Sequence, residues 1–461
     1  MANGALADAL RGAAGRDNVL TEAADRWTYG YDNSRQQALP AAVIFATDAE
    51  QVAAVVSVCN ERGTPVTARG WGSGTTGATV PSEGGVVLSF ERMDAILRTD
   101  PANRLMVVQP GVTNQAVQTA AAEHGFFWPP DPTSAAFCSV GGNLAYNSAG
   151  PRAVKYGTPR ENTLGLRAVT GDASAIRTGV HTTKGVVGYD LTRLIIGSEG
   201  TLALTTEATL KLTPVPQARR TMRGVYADMG AAARAVSAIM AQPVVPSTLE
   251  FIDGKAIEMI RSHSQADLPE GAGAMLMIEV DGAEACLDQA AAAVSEAARV
   301  DGCMGLDMAR SHAEVQALWA TRKALSPALR QVAPKKINED VAVPVSRMPE
   351  LVEGLQGLAH RYGITIVNFG HAGNGNIHVN LLVDPDDPAQ MAAAEPCLEA
   401  VFDLVLSLEG TLSGEHGIGL VKRAFVAREI EPATLALMRR LKQQFDPNGI
   451  LNPGKGFPEA G

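Results

Sequence analysis

The chain has 461 residues, 46% of them hydrophobic and 19% charged; globular proteins average about 45–50% and about 25%, so a large packed core is expected and global disorder is excluded. Asp and Glu number 49 against 39 Lys and Arg, a net charge of −10, and no basic run appears, so the electrostatic footprint of a nucleic-acid binder is missing. At about 150 residues per domain, the length suggests roughly three domains or one large enzyme body.

The cysteines (Cys59, Cys138, Cys286, Cys303, Cys397) are scattered without a CxxC pair. That spacing excludes cysteine-ligated iron–sulfur clusters, ordinary zinc fingers and a CxxCH haem site, and it reads as buried thiols in a reducing compartment. The N-terminus has no apolar signal core and no window approaches the roughly 18 apolar residues of a membrane span. A cytoplasmic protein is expected, with peripheral contact at the inner membrane face left open.

In chain order, residues 1–37 read as a leader. Thr47-Asp48-Ala49-Glu50 has the form of a capping box, followed by Val52, Val55, Val56 and Cys59 at helical spacing and by Gly63 as a stop. Residues 64–69 read as a short strand that enters the glycine-rich stretch 70–77. Short Val/Leu/Thr strands then alternate with glycine turns as far as Pro214, and a second helix is expected over 228–240. Near the end, Pro432 opens a helix predicted to carry Leu437, Met438, Leu441 and Phe445 inward, before a turn at 446–449. The alternation is that of an α+β or α/β enzyme.

Gly72-Ser73-Gly74-Thr75-Thr76-Gly77 matches GxGxxG, but a turn and a strand follow it where a dinucleotide-binding loop of the Rossmann type opens a helix. Ala78-Thr79 stands where a Walker A loop needs Lys and Ser/Thr, so a nucleotide-dependent phosphotransferase is disfavoured. By itself the stretch is a plain glycine turn or a nest of N–H groups able to cradle a diphosphate.

Further motifs follow: Pro129-Pro130-Asp131-Pro132-Thr133-Ser134, Ser139-Val140-Gly141-Gly142-Asn143, Ser148-Ala149-Gly150, and 188–202 with Ile196-Gly197-Ser198-Glu199-Gly200-Thr201-Leu202. Together with the glycine stretch they resemble the FAD-binding domain of the vanillyl-alcohol oxidase/p-cresol methylhydroxylase flavoproteins. The resemblance implies an α+β architecture: a two-subdomain FAD-binding domain over 38–216, an antiparallel-sheet substrate cap over 217–425, and a C-terminal helix and tail over 426–461 that return to the FAD domain. It implies FAD contacts from Arg69, Gly70, Trp71, Gly72, Ser73, Gly74, Thr75 and Thr76, then from Pro130, Asp131, Thr133, Gly141, Gly142, Asn143, Ser148 and Gly150. Ile196, Glu199, Gly200 and Leu202 complete the flavin lining, with Asn452 and Lys455 from the tail. No His or Cys occupies the glycine loop where covalent members attach flavin, so noncovalent FAD is expected. Gly185 and Ala203 depart from the family pattern, which expects Asp or Asn and Gly.

Two further motifs hold three of the eight histidines. His371 and His378 lie at the ends of a Gly/Asn turn that can fold one beside the other, and His378 and Asn380 share a strand face by the period of two. Glu415 and His416 sit in a second glycine loop. Two imidazoles and a carboxylate can form a catalytic metal centre, although isolated residues of these types more often cap or solvate. These motifs resemble the C-terminal domain of FAD-dependent D-2-hydroxyacid dehydrogenases, the group of D-lactate dehydrogenase, D-2-hydroxyglutarate dehydrogenase and the glycolate oxidase D subunit.

That resemblance implies His371, His378 and Glu415 as ligands of a divalent metal, Zn²⁺ first and Mn²⁺ or Fe²⁺ as alternatives, with His416 as the base. It implies Arg322, supported by Ser326, on the substrate carboxylate, and Asn380 and, more weakly, Lys336 as further substrate contacts. Lys335 and Asn338 compete for the last position. The implied reaction is oxidation of a D-2-hydroxy acid, D-lactate foremost, to the 2-oxo acid, with metal-assisted proton removal and hydride transfer to FAD. A D-2-hydroxyglutarate dehydrogenase, a glycolate oxidase subunit or a silent flavin-binding subunit are the competing readings. Electrons would leave to a separate quinone, cytochrome or electron-transfer flavoprotein, and a homodimer is compatible with the sequence.

Overall fold

A computed structural model describes residues 2–261, 270–332 and 335–458. They form two compact units, one of residues 1–149, 157–215 and 415–461, the other of 150–156 and 216–414.

In the first unit, strands β1 (Val19–Leu20), β2 (Ala42–Phe45), β3 (Val66–Arg69) and β4 (Val86–Ser89) form a sheet in the order β1-β2-β4-β3, with β4 parallel to β2 and to β3. The connection from β2 to β3 is the helix Ala49–Glu61, which buries Val52, Val55, Val56 and Cys59 as the spacing predicts. The cap is set one residue later than expected. Asp48 is the N-cap and accepts from the Gln51 N–H at 2.8 Å, while the Gln51 side chain accepts from the Thr47 N–H. The stretch expected as a leader is also part of this body: the helix Ala2–Ala14 puts Leu10 and Ala14 into the core beside Val52 and Ile44.

Strands β5 (Ile96–Asp100), β6 (Leu105–Val108), β8 (Thr163–Thr170), β9 (Ala175–Gly179) and β10 (Ala203–Lys211) make an antiparallel sheet in the order β5-β6-β10-β8-β9, and β7 (Phe126–Phe127) pairs with β11 (Thr213–Pro214). The C-terminal helix Pro432–Phe445 does not carry Leu437 inward, for that residue is 50% exposed and Leu435 is the buried one. Two residues along a helix are about 200° apart, so an inward Leu435 forces Leu437 outward.

The second unit is one seven-stranded antiparallel sheet: β12 (Ala218–Tyr226), β13 (Thr248–Asp253), β14 (Ala274–Gly282), β15 (Cys303–Met308), β16 (Lys335–Ala342), β17 (Thr365–Gly370) and β18 (Asn376–Val383), in the order β15-β12-β14-β13-β17-β18-β16. The expected second helix is Met229–Ala241, capped by Asp228. On one sheet face Ile252, Met275, Met277, Val367, Phe369 and Leu382 form a core with Leu318, Leu325 and Leu329 of the helix His312–Val332. Every residue of β13 and β18 is buried, so both faces of the sheet centre are covered. Among the described residues no helix is long and apolar enough to cross a membrane.

The cap geometry gives a direct test. Asp48→Ala should cost about 1 kcal/mol, read as a lower urea midpoint, whereas Thr47→Ala should move it by less than about 0.5 kcal/mol; equal effects would place the cap at Thr47.

Candidate active site

In the first unit a cleft is lined by Arg69 and Gly70, by Gly141 and Gly142, and by Ile196, Glu199 and Gly200, so the structure brings three of the expected cofactor segments to one cavity. Ala203, one of the two departures from the family pattern, also lines it. The glycines are there for close approach: a Cβ on Gly70 would fall 2.2 Å from the Ser139 hydroxyl. Ser139 caps the helix Val140–Tyr146 by accepting from the Gly142 N–H at 3.1 Å.

The expected residues outside that lining have other work. Trp71 is half exposed and donates its indole N–H to the Gly111 carbonyl at 3.1 Å. The Ser73 and Gly74 carbonyls accept from Asn33, and the Gly77 N–H is held by the buried Asp32 carboxylate at 3.0 Å. Asp32 and Asn33 were concealed in the presumed leader, and no motif marks them. Gly72 turns back on Arg69, whose guanidinium donates to the Tyr31 carbonyl at 2.7 Å and packs near the Tyr29 ring.

Asn143 is bonded to Asn114, Cys138 and Ser148, and the Pro130 carbonyl accepts from Asn114 at 2.9 Å. The Asp131 N–H donates to the Ala149 carbonyl, Thr133 is exposed, Leu202 is buried, and Gly150 falls in the second unit.

Glu199 is the largest difference from expectation. It holds a left-handed φ of 53°, and its buried carboxylate accepts from the Ile418 and Gly419 N–H groups, so it clamps the loop that follows His416. Burial raises its carboxyl above the ordinary range, opposed by those two hydrogen bonds. Thr76 holds the same loop, its hydroxyl donating to the His416 carbonyl at 3.2 Å and its carbonyl accepting from Leu420 at 2.8 Å. Asn452 donates to the carbonyls of Ala78 and Glu199, which ties the tail to the cleft lining.

One polar group fits a bound anionic cofactor. The buried Lys455 ammonium has no hydrogen-bond partner among the described residues, and burial pushes Lys455 down to about 8. A diphosphate would supply the acceptor that Lys455 lacks.

In the second unit the antiparallel register sets the other half of the chemistry. His378 pairs with Asp340 and with Phe369, Asn380 pairs with Asn338 and Val367, and Lys336 pairs with Leu382, so all these side chains share one face. The turn after β17 brings the His371 ring to 5.4 Å from the His378 ring, centroid to centroid. That turn depends on Gly375, at φ 67°, where a Cβ would lie 1.9 Å from the Val343 carbonyl.

The His371 Nδ1 is 2.6 Å from Glu250 Oε1, and Glu250 Oε2 accepts from Arg322 Nε at 2.6 Å. Burial pushes the Glu250 carboxyl up, but His371 and Arg322 together hold it below its ordinary value. Asn380 donates its amide to the Val367 and His378 carbonyls, and its oxygen has no partner among the described residues. Asp340 accepts from Asn376 at 2.6 Å and from the Ser413 hydroxyl at 3.2 Å, and its carbonyl accepts from the Gly414 N–H.

Of the expected ligand set, His371 and His378 thus stand together in the second unit. Glu415 follows Gly414 in the chain and belongs to the first unit, where it accepts from the Ala149 N–H at 3.2 Å. The Ser326 side chain lies outside the described residues. Glu250 was missed because a single Glu on an otherwise apolar strand carries no motif.

Two family models match the chain. Residues 40–179 match the FAD binding domain model, and residues 215–456 match that of the FAD linked oxidases, C-terminal domain. The chain is 37% identical to glycolate oxidase subunit GlcD of Bacillus subtilis, over 96% of this chain and 94% of the relative. It is 34% identical to D-2-hydroxyglutarate dehydrogenase of Xanthomonas citri, over 95% and 94%, and 36% identical to D-lactate dehydrogenase of Archaeoglobus fulgidus, over 90% of each chain. The solved structure of p-cresol methylhydroxylase superposes with a TM-score of 0.80 at 19% identity, covering 99% of this chain and 97% of that one, which shows a common fold.

The chain belongs to the FAD-linked oxidase family and is an FAD-dependent oxidoreductase. Within that family its place is the group of glycolate, D-lactate and D-2-hydroxyglutarate oxidoreductases.

Removing the Glu199 carboxylate strands two buried N–H groups. Glu199→Ala should therefore cost about 2–4 kcal/mol, measured as a fall in the urea midpoint; a loss below about 1 kcal/mol would show that the 416–420 loop holds itself.

Proposed function

We propose that the chain oxidises a D-2-hydroxy acid, D-lactate first, to its 2-oxo acid. The observation that carries this reading is the pairing of His371 with His378 on the sheet face that also holds Asn380 and the Arg322–Glu250 pair. Noncovalent FAD, when bound, supplies the two-electron acceptor for the α-hydrogen. The absence of a His or Cys in residues 70–77 supports noncovalent attachment, as does the buried Cys138 thiol, which is engaged with Asn143 and raised by burial. The motif match adds Glu415 to the two histidines as ligands of a divalent metal, zinc or else manganese or iron, whose chemistry is Lewis-acid stabilisation of negative charge on the hydroxyl oxygen.

The chain's own groups do the remaining work. Arg322 meets the substrate carboxylate with its guanidinium, already oriented through Nε. Asn380, on the same sheet face as His378, is a further substrate contact. His416 receives the hydroxyl proton as the general base. Lys336, on the same sheet face, is the further cation toward substrate.

A separate quinone, cytochrome or electron-transfer flavoprotein takes the electrons, and a cytoplasmic homodimer with peripheral membrane contact fits the sequence. The 37% identity to a glycolate oxidase subunit supports a second reading, in which the chain works on glycolate beside partner chains.

Anaerobic addition of D-lactate should bleach the flavin band, L-lactate should not, and chelation should suppress the bleaching until Zn²⁺ or Mn²⁺ is restored. A flavin that no 2-hydroxy acid bleaches overturns the assignment. His416→Ala should keep flavin and metal while losing roughly 10²–10⁴ in turnover; a near wild-type rate would remove it as the base.

Lys455, with its value near 8, should bind the cofactor's diphosphate in its charged form. Affinity of the apoprotein for FAD should then fall as pH rises above 8, by at most about tenfold per unit. Lys455→Met should bind FAD more weakly and lose that pH dependence, and an unchanged profile by fluorescence titration would exclude the contact.

A further inference from the structure

The Glu250 side chain is 1% exposed, lies on a central strand, and makes two contacts of 2.6 Å to side chains from different elements. One contact is to Arg322 on the helix His312–Val332, and the other is to His371 in the turn after β17. We propose that Glu250 is the positioning residue that makes His371 a metal ligand and sets the Arg322 guanidinium for a substrate carboxylate, so that one buried charge organises both halves of substrate binding. The inference rests on the metal-dependent reading above and deepens it.

The physical case starts with donor and acceptor roles. The 2.6 Å contact engages His371 Nδ1 with the Glu250 carboxylate, so ligation falls to the ring's other nitrogen, Nε2. A carboxylate on the far nitrogen of a ligating imidazole fixes the ring's rotation and raises its basicity, and losing such a partner typically weakens metal binding by about 10–100-fold.

The second contact pairs the same buried carboxylate with a cation. Arg322 supplies the compensating charge, and its own position is fixed by the Phe369 ring, whose centroid is 5.0 Å from the guanidinium carbon. Phe369 also packs edge-on to His378 at 5.5 Å, so the arginine and both histidines are held by one aromatic ring and one carboxylate.

Glu250→Gln strands a buried guanidinium and can fail to fold, so the double variant Glu250→Gln/Arg322→Gln, which removes both charges, is made beside it, together with Arg322→Gln alone. Each is prepared FAD-loaded, stripped with chelator and titrated with Zn²⁺ by calorimetry, with flavin content and thermal midpoint reporting the fold.

Glu250→Gln and the double variant should bind Zn²⁺ about 10–100-fold more weakly than the wild type, with flavin content unchanged. Arg322→Gln, which leaves the carboxylate on His371 but removes its compensating cation, should weaken Zn²⁺ binding less than Glu250→Gln does, while the D-lactate concentration needed for half-maximal bleaching rises. A purely structural role would lower the thermal midpoint in all three without separating metal from substrate. A double variant that keeps flavin and binds Zn²⁺ as tightly as wild type overturns the inference while leaving the metal site standing. A wild-type chain that binds no divalent metal overturns the metal-dependent reading and this role with it.

Discussion

The second unit depends on the register of its antiparallel sheet. Asp340 opposite His378, His378 opposite Phe369, and Phe369 opposite Ile252 are successive rungs of one ladder across four strands. Because side chains alternate faces with a period of two, a slip of one residue in β18 would send His378 and Asn380 to the far side and bring Val379 and Leu381 in their place. The register is held by burial on both faces, since no residue of β18 is exposed. The hydrophobic effect therefore fixes the chemistry: apolar residues choose the register, and the polar residues between them are carried into position.

Polar atoms buried in this way need partners, and the partners account for most of the residues that surround the histidines. Asp340 takes bonds from Asn376, Ser413 and the Gly414 N–H, which ties β16 to the turn before β18 and to the segment leading to Glu415. Glu250 satisfies Arg322 and His371 together. Unsatisfied groups of this kind cost about 1–3 kcal/mol each, more when charged, so these networks stabilise the fold as well as shape it.

The first unit applies the same logic with backbone donors. Asp32 holds the Gly77 N–H, Glu199 holds those of Ile418 and Gly419, and Thr76 bonds on both sides of the loop. Carboxylates that would be natural cofactor contacts on a sequence alignment are here the parts that give the glycine loops a shape. The Lys455 ammonium stands apart from these networks and fits the anionic ligand the family binds.

From its sequence alone, this chain declared the FAD-linked architecture and the helix Ala49–Glu61, because ordered glycine motifs and a 3.6-residue apolar period are local properties of the chain. The same holds for the fold of His371 back toward His378, which a short Gly/Asn turn between two strands makes possible over eight residues. Local pattern could not show that Leu10, Ala14 and Val19 pack in the core, that Leu435 rather than Leu437 faces inward, or that Asp48 rather than Thr47 is the cap. Each of those is decided by what lies opposite in space. Glu250 is the clearest case: its partners are 72 and 121 residues away, and the tertiary fold alone puts a carboxylate, a guanidinium and an imidazole within 2.6 Å contacts of one another.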